Sequence, residues 1–152
     1  MTLLEISDIE CSKCREYKPV YDKIYKKFKS KIRFGFIHYS SYPTLSAIAC
    51  NAAAKQGKFW EMLDSLMFGN KLADTLQIVR MAKNLGMDLK QFNKDLNDPG
   101  ASSRLEYNFK LLKAYGIYAT PTILINGKPV FDSSSMVEIE NQIKSELLTT
   151  SK

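Results

Sequence analysis

Gly116-Ile117-Tyr118-Ala119-Thr120-Pro121-Thr122 carries the chain from a helical stretch into a strand through a Thr-Pro bond. That is the setting in which a cis proline supplies a sharp, rigid turn. Beyond it, Thr122, Ile123, Leu124 and Ile125 are β-prone, Asn126-Gly127 reads as a hairpin turn, and Pro129, Val130 and Phe131 return as an edge strand. Ser135-x-x-Glu138 reads as a capping box that opens a last helix buried along Met136, Ile139, Ile143 and Leu147, with a frayed tail past Thr149.

Upstream, Cys11-Ser12-Lys13-Cys14 follows a short apolar run (Leu3, Leu4, Ile6) and precedes a long helical pattern. A helix that begins near Cys11 places that sulfur among unsatisfied backbone N–H groups at the positive end of the helix dipole, where a thiolate is stabilised. Such a sulfur is the better nucleophile and the better leaving group in exchange. Cys14 lies almost one turn further on, near enough to close a disulfide and placed to be buried under the helix start. Cys11 then attacks and Cys14 resolves. A Cys-x-x-Cys pair is also half of a zinc site, whose other half is Cys50 and His38. Neither of those falls in a second paired motif, so the redox reading leads and zinc stays as the alternative.

Residues 2 to 7 read as a buried strand containing one carboxylate, Glu5, which is costly there without a task or a partner. From the residues alone, two readings stand: an edge strand with Glu5 facing water, or a proton acceptor near the buried Cys14. From Ser12 to about Ser30, Tyr17, Val20, Tyr21, Ile24, Tyr25 and Phe28 recur at helical spacing, with Pro19 expected to kink the axis. Ile32, Phe34, Phe36 and Ile37 form a second strand ending near His38. Strand, helix and strand make a parallel unit with a right-handed crossover.

Residues 43 to 115 read as four or five helices. Thr44 caps the first, Gly57 breaks it, and Phe59, Trp60, Leu63, Leu66 and Met67 open another. Asp74 starts a third, closed by Gly86. Asp88-Leu89-Lys90-Gln91 reads as a capping box for a fourth, and Asp98-Pro99 as cap and first turn of a fifth. Cys50, on an alanine-rich face, reads as a small buried hydrophobe, and Phe59 and Trp60 read as core.

At 152 residues, 45% apolar and 25% charged, the chain suits one domain with a real core, and no run approaches the length of a membrane span. The start has neither a basic n-region nor a sustained apolar segment. Two locations follow: cytoplasmic if Met1 is the native start, extracytoplasmic (periplasm or cell envelope) if a leader has been removed. The net charge of +6 is partly local, with Lys18, Lys23, Lys26, Lys27, Lys29, Lys31 and Arg33 crowding the first helix and its exit. Without interleaved aromatics in a recognised motif this is a solvated face, and no nucleic-acid partner is expected.

The strand, Cys-x-x-Cys, helix and strand, joined to the Thr-Pro entry into a hairpin, resemble the thioredoxin fold. More closely, the chain resembles the DsbA-like thiol-disulfide oxidoreductases, in which a helical domain is inserted into that fold. Ser7-Asp8-Ile9-Glu10-Cys11-x-x-Cys14 resembles the family's lead-in and active site, and Pro19 matches its kink proline. Asn51-Ala52-Ala53-Ala54-Lys55-Gln56-Gly57-Lys58-Phe59-Trp60-Glu61-Met62 is similar to the insert signature, the most specific stretch. Ala119-Thr120-Pro121-Thr122 with Asn126-Gly127 resembles the cis-proline loop and hairpin. The Ser-Lys dipeptide departs from the Pro-His of the best-known members, so a strongly oxidising potential is not carried across.

The resemblance implies an α/β, thioredoxin-like fold (β-α-β, helical insert, β-hairpin, C-terminal α) making one DsbA-like domain over 1–152. Its thioredoxin-like part is 1–42 and 116–152, and its helical insert is 43–115. It implies an enzyme that exchanges the Cys11–Cys14 disulfide with cysteines of protein substrates as an oxidant, with a thioredoxin-like reductase or a disulfide isomerase as the alternative. Cys11 is the exposed nucleophile and Cys14 resolves. Glu5, six residues before Cys11, stands where the family has a buried acid and shuttles the Cys14 proton through a water. Ser12 and Lys13 tune the couple, Lys13 by placing a cation beside the thiolate. Thr120 and cis Pro121 face the disulfide and bind an extended substrate segment. No cofactor or metal is implied. The partners are cysteine-containing proteins and a redox partner that reoxidises or reduces the dithiol, and the chain is a monomer.

Overall fold

A computed structural model describes residues 1–68 and 72–149. The expected fraying past Thr149 lies outside the described residues. The elements run β1 (Thr2–Ser7), α1 (Ser12–Phe28), β2 (Arg33–His38), α2 (Leu45–Ala54), α3 (Phe59–Met67), α4 (Thr75–Asn84), α5 (Leu89–Leu96), α6 (Pro99–Ala114), β3 (Thr122–Ile125), β4 (Lys128–Pro129) and α7 (Met136–Thr149). They divide into two units, Met1–Ile37 with Gly116–Lys152, and His38–Tyr115.

The strands form one sheet in the order β2-β1-β3-β4. β1 pairs antiparallel with β3, Leu3 opposite Ile125 and Glu5 opposite Ile123, and β3 pairs antiparallel with β4. The hairpin follows from two residues: Asn126 (φ 51°) and Gly127 (φ 81°) both adopt positive φ, the backbone whose twist matches the flanking strands. Asn126 also ties the turn to the chain start, its N–H donating to Thr2 O at 2.9 Å and its Oδ1 accepting from Thr2 N at 3.0 Å. Pro129 sits on the edge strand β4, where a missing N–H breaks no ladder.

β1 is central, between β2 and β3, so the edge-strand reading of Glu5 is overturned: its side chain is buried, at 7% exposure. α1 runs through Pro19 and buries Tyr21, Ile24 and Phe28, as its helical spacing dictates. These meet Ile123 and Ile125 of β3 and Ile139 and Ile143 of α7 in one apolar cluster. At its edge, Lys27 of α1 donates to both oxygens of Glu140 of α7 at 2.7 Å.

The second unit is built on α2, which packs against α3, α4, α5 and α6. Helix starts follow their caps. Thr44 Oγ1 accepts from Ala47 N at 3.2 Å, and Asp74 and Gln77 complete a capping box. Asp98 accepts from Gly100 N at 2.9 Å beside Pro99 in the first turn of α6. Two expected boxes are only half formed. Asp88 accepts from Lys90 and Gln91 backbone N–H groups, but the Gln91 side chain turns forward to Asp95, and Gln56 takes the Asp88 N–H instead. Likewise Ser135 accepts from Glu138 N, while the Glu138 carboxylate accepts from Asp132 N. In the first, the distant Gln56 amide oxygen takes the N-cap N–H; in the second, Ser135 N donates to the Asp132 carbonyl at 3.1 Å. Cys50 is buried as expected, and burial pushes its thiol far up. Phe59 and Trp60 depart from the reading as core: both are half-buried and pack edge to face, centroids 5.2 Å apart.

Candidate active site: a dithiol at the start of α1

β1 ends at Ser7, and a tight turn delivers the chain into α1. Asp8 builds that turn: its carbonyl accepts from Cys11 N at 3.1 Å and its Oδ1 accepts from Glu10 N at 2.9 Å. Cys11 is thereby the N-cap of α1, with extended backbone and a carbonyl that accepts from Arg15 N at 3.1 Å. The Cys11 side chain makes no capping hydrogen bond, and as N-cap residue it stands at the positive end of the helix dipole.

The two cysteines differ in burial. Cys11 is half-exposed and Cys14, in the first turn, is wholly buried; both are free thiols. The backbone N–H of Asp8 donates to Cys14 Sγ at 3.5 Å. Burial pushes the Cys14 thiol up, opposed by the side chains of Ser7 and Thr120 and by the Asp8 N–H, while the Cys11 charge adds to the rise. Thr120 thus brings the loop before β3 onto the buried sulfur, and the Thr120–Pro121 bond is cis. Pro121 is half-exposed in that loop.

Glu5 lies two residues before the end of β1. Tyr21 donates to Ser133 O at 3.0 Å, and its phenol is pushed far up by burial first and then by the charges of Glu5 and Cys14. Glu5 and Cys14 therefore act on one buried neighbourhood. Ser12 is exposed and turned to solvent. Lys13 is exposed too, and its ammonium is bound to Glu16 at 2.9 Å, which raises its pKa and shares out the cation expected beside the thiolate.

Four residues the sequence reading left without a role at the dithiol thus belong to this neighbourhood: Ser7, Asp8, Tyr21 and Ser133. Ser7 and Asp8 stand in the quoted lead-in, and Tyr21 in the buried stripe of α1. Nothing in the sequence marks Ser133, which follows β4 and enters only through Tyr21, whose hydroxyl donates to its carbonyl. Among the described residues no three or more His, Cys, Asp or Glu side chains come together as metal ligands.

A thioredoxin family model matches residues 1–145. A Na+/H+ antiporter NhaA of Herminiimonas arsenicoxydans is 31% identical over 130 residues, covering 84% of this chain and 21% of that protein. The chain thus spans about a fifth of the length of the curated relatives it matches. Among solved structures, oxidised BdbD of Bacillus subtilis superposes with a TM-score of 0.81 at 24% identity, covering 96% of this chain and 86% of that one. The thiol-disulfide exchange protein alpha-DsbA2 of Wolbachia pipientis does so at 0.80 with 16% identity, covering 95% and 80%. With five helices inserted between β2 and β3 of the sheet, as in a DsbA-like fold, the chain belongs to the thioredoxin family.

Proposed function

We propose that this chain is a protein thiol-disulfide oxidoreductase working through Cys11 and Cys14. The observation that carries the reading is the asymmetry of the pair: Cys11 is half-exposed at an uncapped helix start, and Cys14 is buried with an Asp8 N–H on its sulfur. Run as an oxidant, a substrate thiolate attacks Cys11 Sγ of the Cys11–Cys14 disulfide. That bond breaks, a mixed disulfide forms at Cys11, and the electron pair leaves with Cys14 as a thiolate. The second substrate thiolate then attacks the mixed disulfide, releasing oxidised substrate and the two-electron-reduced dithiol. A redox partner reoxidises the pair.

Within this scheme Glu5 accepts or returns the Cys14 proton, supported by its burial in the strand leading to the dithiol. Thr120 and Pro121 hold the substrate segment against the disulfide, supported by the Thr120 side chain on Cys14. Ser12 and Lys13 tune the couple from the solvent side. The thioredoxin-like part, residues 1–42 and 116–152, and the insert, 43–115, act as one DsbA-like domain, as a monomer, on cysteine-containing proteins, in the cell envelope if a leader has been removed and in the cytoplasm if Met1 is the native start. The ion transport in the antiporter's name is not carried over, since this chain covers about a fifth of that protein.

The test is the redox equilibrium of the pair across glutathione buffers, read by alkylating free thiols and weighing the protein. A potential more oxidising than the glutathione pool supports a disulfide donor, and a value near that of thioredoxin reassigns the chain as a reductase. Cys11→Ser is expected to abolish disulfide transfer, and a pair that never oxidises in the series overturns the proposal.

A further inference from the structure

Ser7 closes β1 and is wholly buried, yet its hydroxyl has no hydrogen-bond partner of ordinary length among the described residues. A buried hydroxyl left in that condition weakens a fold, so its presence calls for a reason other than stability. The reason stands beside it. Ser7 neighbours Asp8, whose N–H is on Cys14 Sγ, and the Ser7 side chain favours the anionic form of that sulfur. A sulfur in a disulfide or a neutral thiol is a weak acceptor, whereas a thiolate is a strong one.

We propose that Ser7 is a positioning residue of the dithiol, its O–H turning onto Cys14 Sγ when that sulfur leaves as an anion. This rests on the exchange reading above and names the group that receives the charge. When the substrate thiolate attacks Cys11 Sγ and the Cys11–Cys14 bond breaks, the bond electrons go to Cys14 before any proton reaches it. The Asp8 N–H and the side chains of Ser7 and Thr120 all act on that sulfur, Ser7 from the strand side. The hydroxyl, without a hydrogen bond of ordinary length at rest, forms its full bond as the charge appears, which lowers the barrier rather than stabilising the resting disulfide. The ionisable groups acting on this neighbourhood are Cys11, Asp8, Glu5, Tyr17, Tyr21 and Asp132, and all are retained when Ser7 alone is changed.

Ser7→Ala removes the hydroxyl with little change in volume. Three quantities are read on the variant and wild type: the ionisation of Cys14 by alkylation against pH in a Cys11→Ser background, the rate at which the oxidised protein forms a mixed disulfide with glutathione, and the thermal midpoint of the oxidised protein. Titration of Cys14 is expected to move to higher pH, the rate to fall about tenfold, and the midpoint to hold or rise. A titration or rate equal to wild type overturns the proposal, and a lowered midpoint replaces it with a structural role. Failure of the exchange reading itself looks different: wild type would then form no mixed disulfide with glutathione at all, while the Cys14 titration would still report on Ser7.

Discussion

The Asp8 backbone N–H lies 3.5 Å from Cys14 Sγ, while the Asp8 carboxylate folds back to accept from Glu10 N at 2.9 Å. One residue therefore shapes the turn with its side chain and serves the buried thiol with its main chain. Burial pushes the Asp8 carboxyl up, only partly offset by the Glu10 N–H. A carboxyl whose folded pKa lies above its unfolded value contributes stability at low pH that is lost as pH rises through the folded pKa. Asp8→Asn keeps an oxygen for Glu10 N and removes the charge. Its urea midpoint is expected to match wild type near pH 3 and to exceed it at pH 7. Equal midpoints at pH 7 would show that ionised Asp8 costs the fold nothing.

Cys14→Ser tests the division of labour between the two sulfurs. With Cys11 intact and its resolving partner gone, mixed disulfides with substrate are expected to accumulate, visible as adducts on non-reducing gels and by mass. The Cys11→Ser variant should form none. Adducts on Cys14 in preference to Cys11 would reverse the roles and contradict the burial of Cys14.

Much of this was legible in the sequence because local rules govern it. The Asn126-Gly127 turn, the Thr44, Asp74 and Asp98 caps and the apolar spacing of α1 are each fixed by a few adjacent residues. The two half-formed capping boxes show where that reach ends, since Gln91 and Glu138 had partners outside their own motif. The environment of Cys14 lay still further out of reach. Its neighbours come from the end of β1, the turn after it and the loop before β3, more than a hundred residues later. Only the sheet order, which puts β1 beside β3, brings them together.

Glu5 on the central strand invites a direct kinetic test of the proposed proton path. If its carboxylate takes the Cys14 proton, Glu5→Gln is expected to slow closure of the Cys11–Cys14 disulfide about a hundredfold at neutral pH. Raising the pH should restore the rate, as Cys14 then ionises without help. The measurement is quenched alkylation during oxidation by glutathione disulfide across pH. A variant as fast as wild type at pH 7 takes Glu5 out of the proton path and leaves it a structural acid.

Gly127 separates support of the fold from chemistry. Its φ of 81° is in the left-handed region, and an added Cβ would meet nothing within 4 Å, so Gly127→Ala introduces backbone strain without a clash. The expected cost is about 1–2 kcal/mol, read as a lower urea midpoint at unchanged slope. Gly127→Asn should cost less, since Asn tolerates this conformation better than Ala. The turn sits at the far end of β3 from Thr120 and Pro121, so strain there has a whole strand in which to dissipate before it reaches Cys14. Disulfide exchange by the folded variants is therefore expected to match wild type. A folded Gly127→Ala protein that exchanged slowly would show instead that the hairpin sets the position of the Thr120 side chain against the buried sulfur.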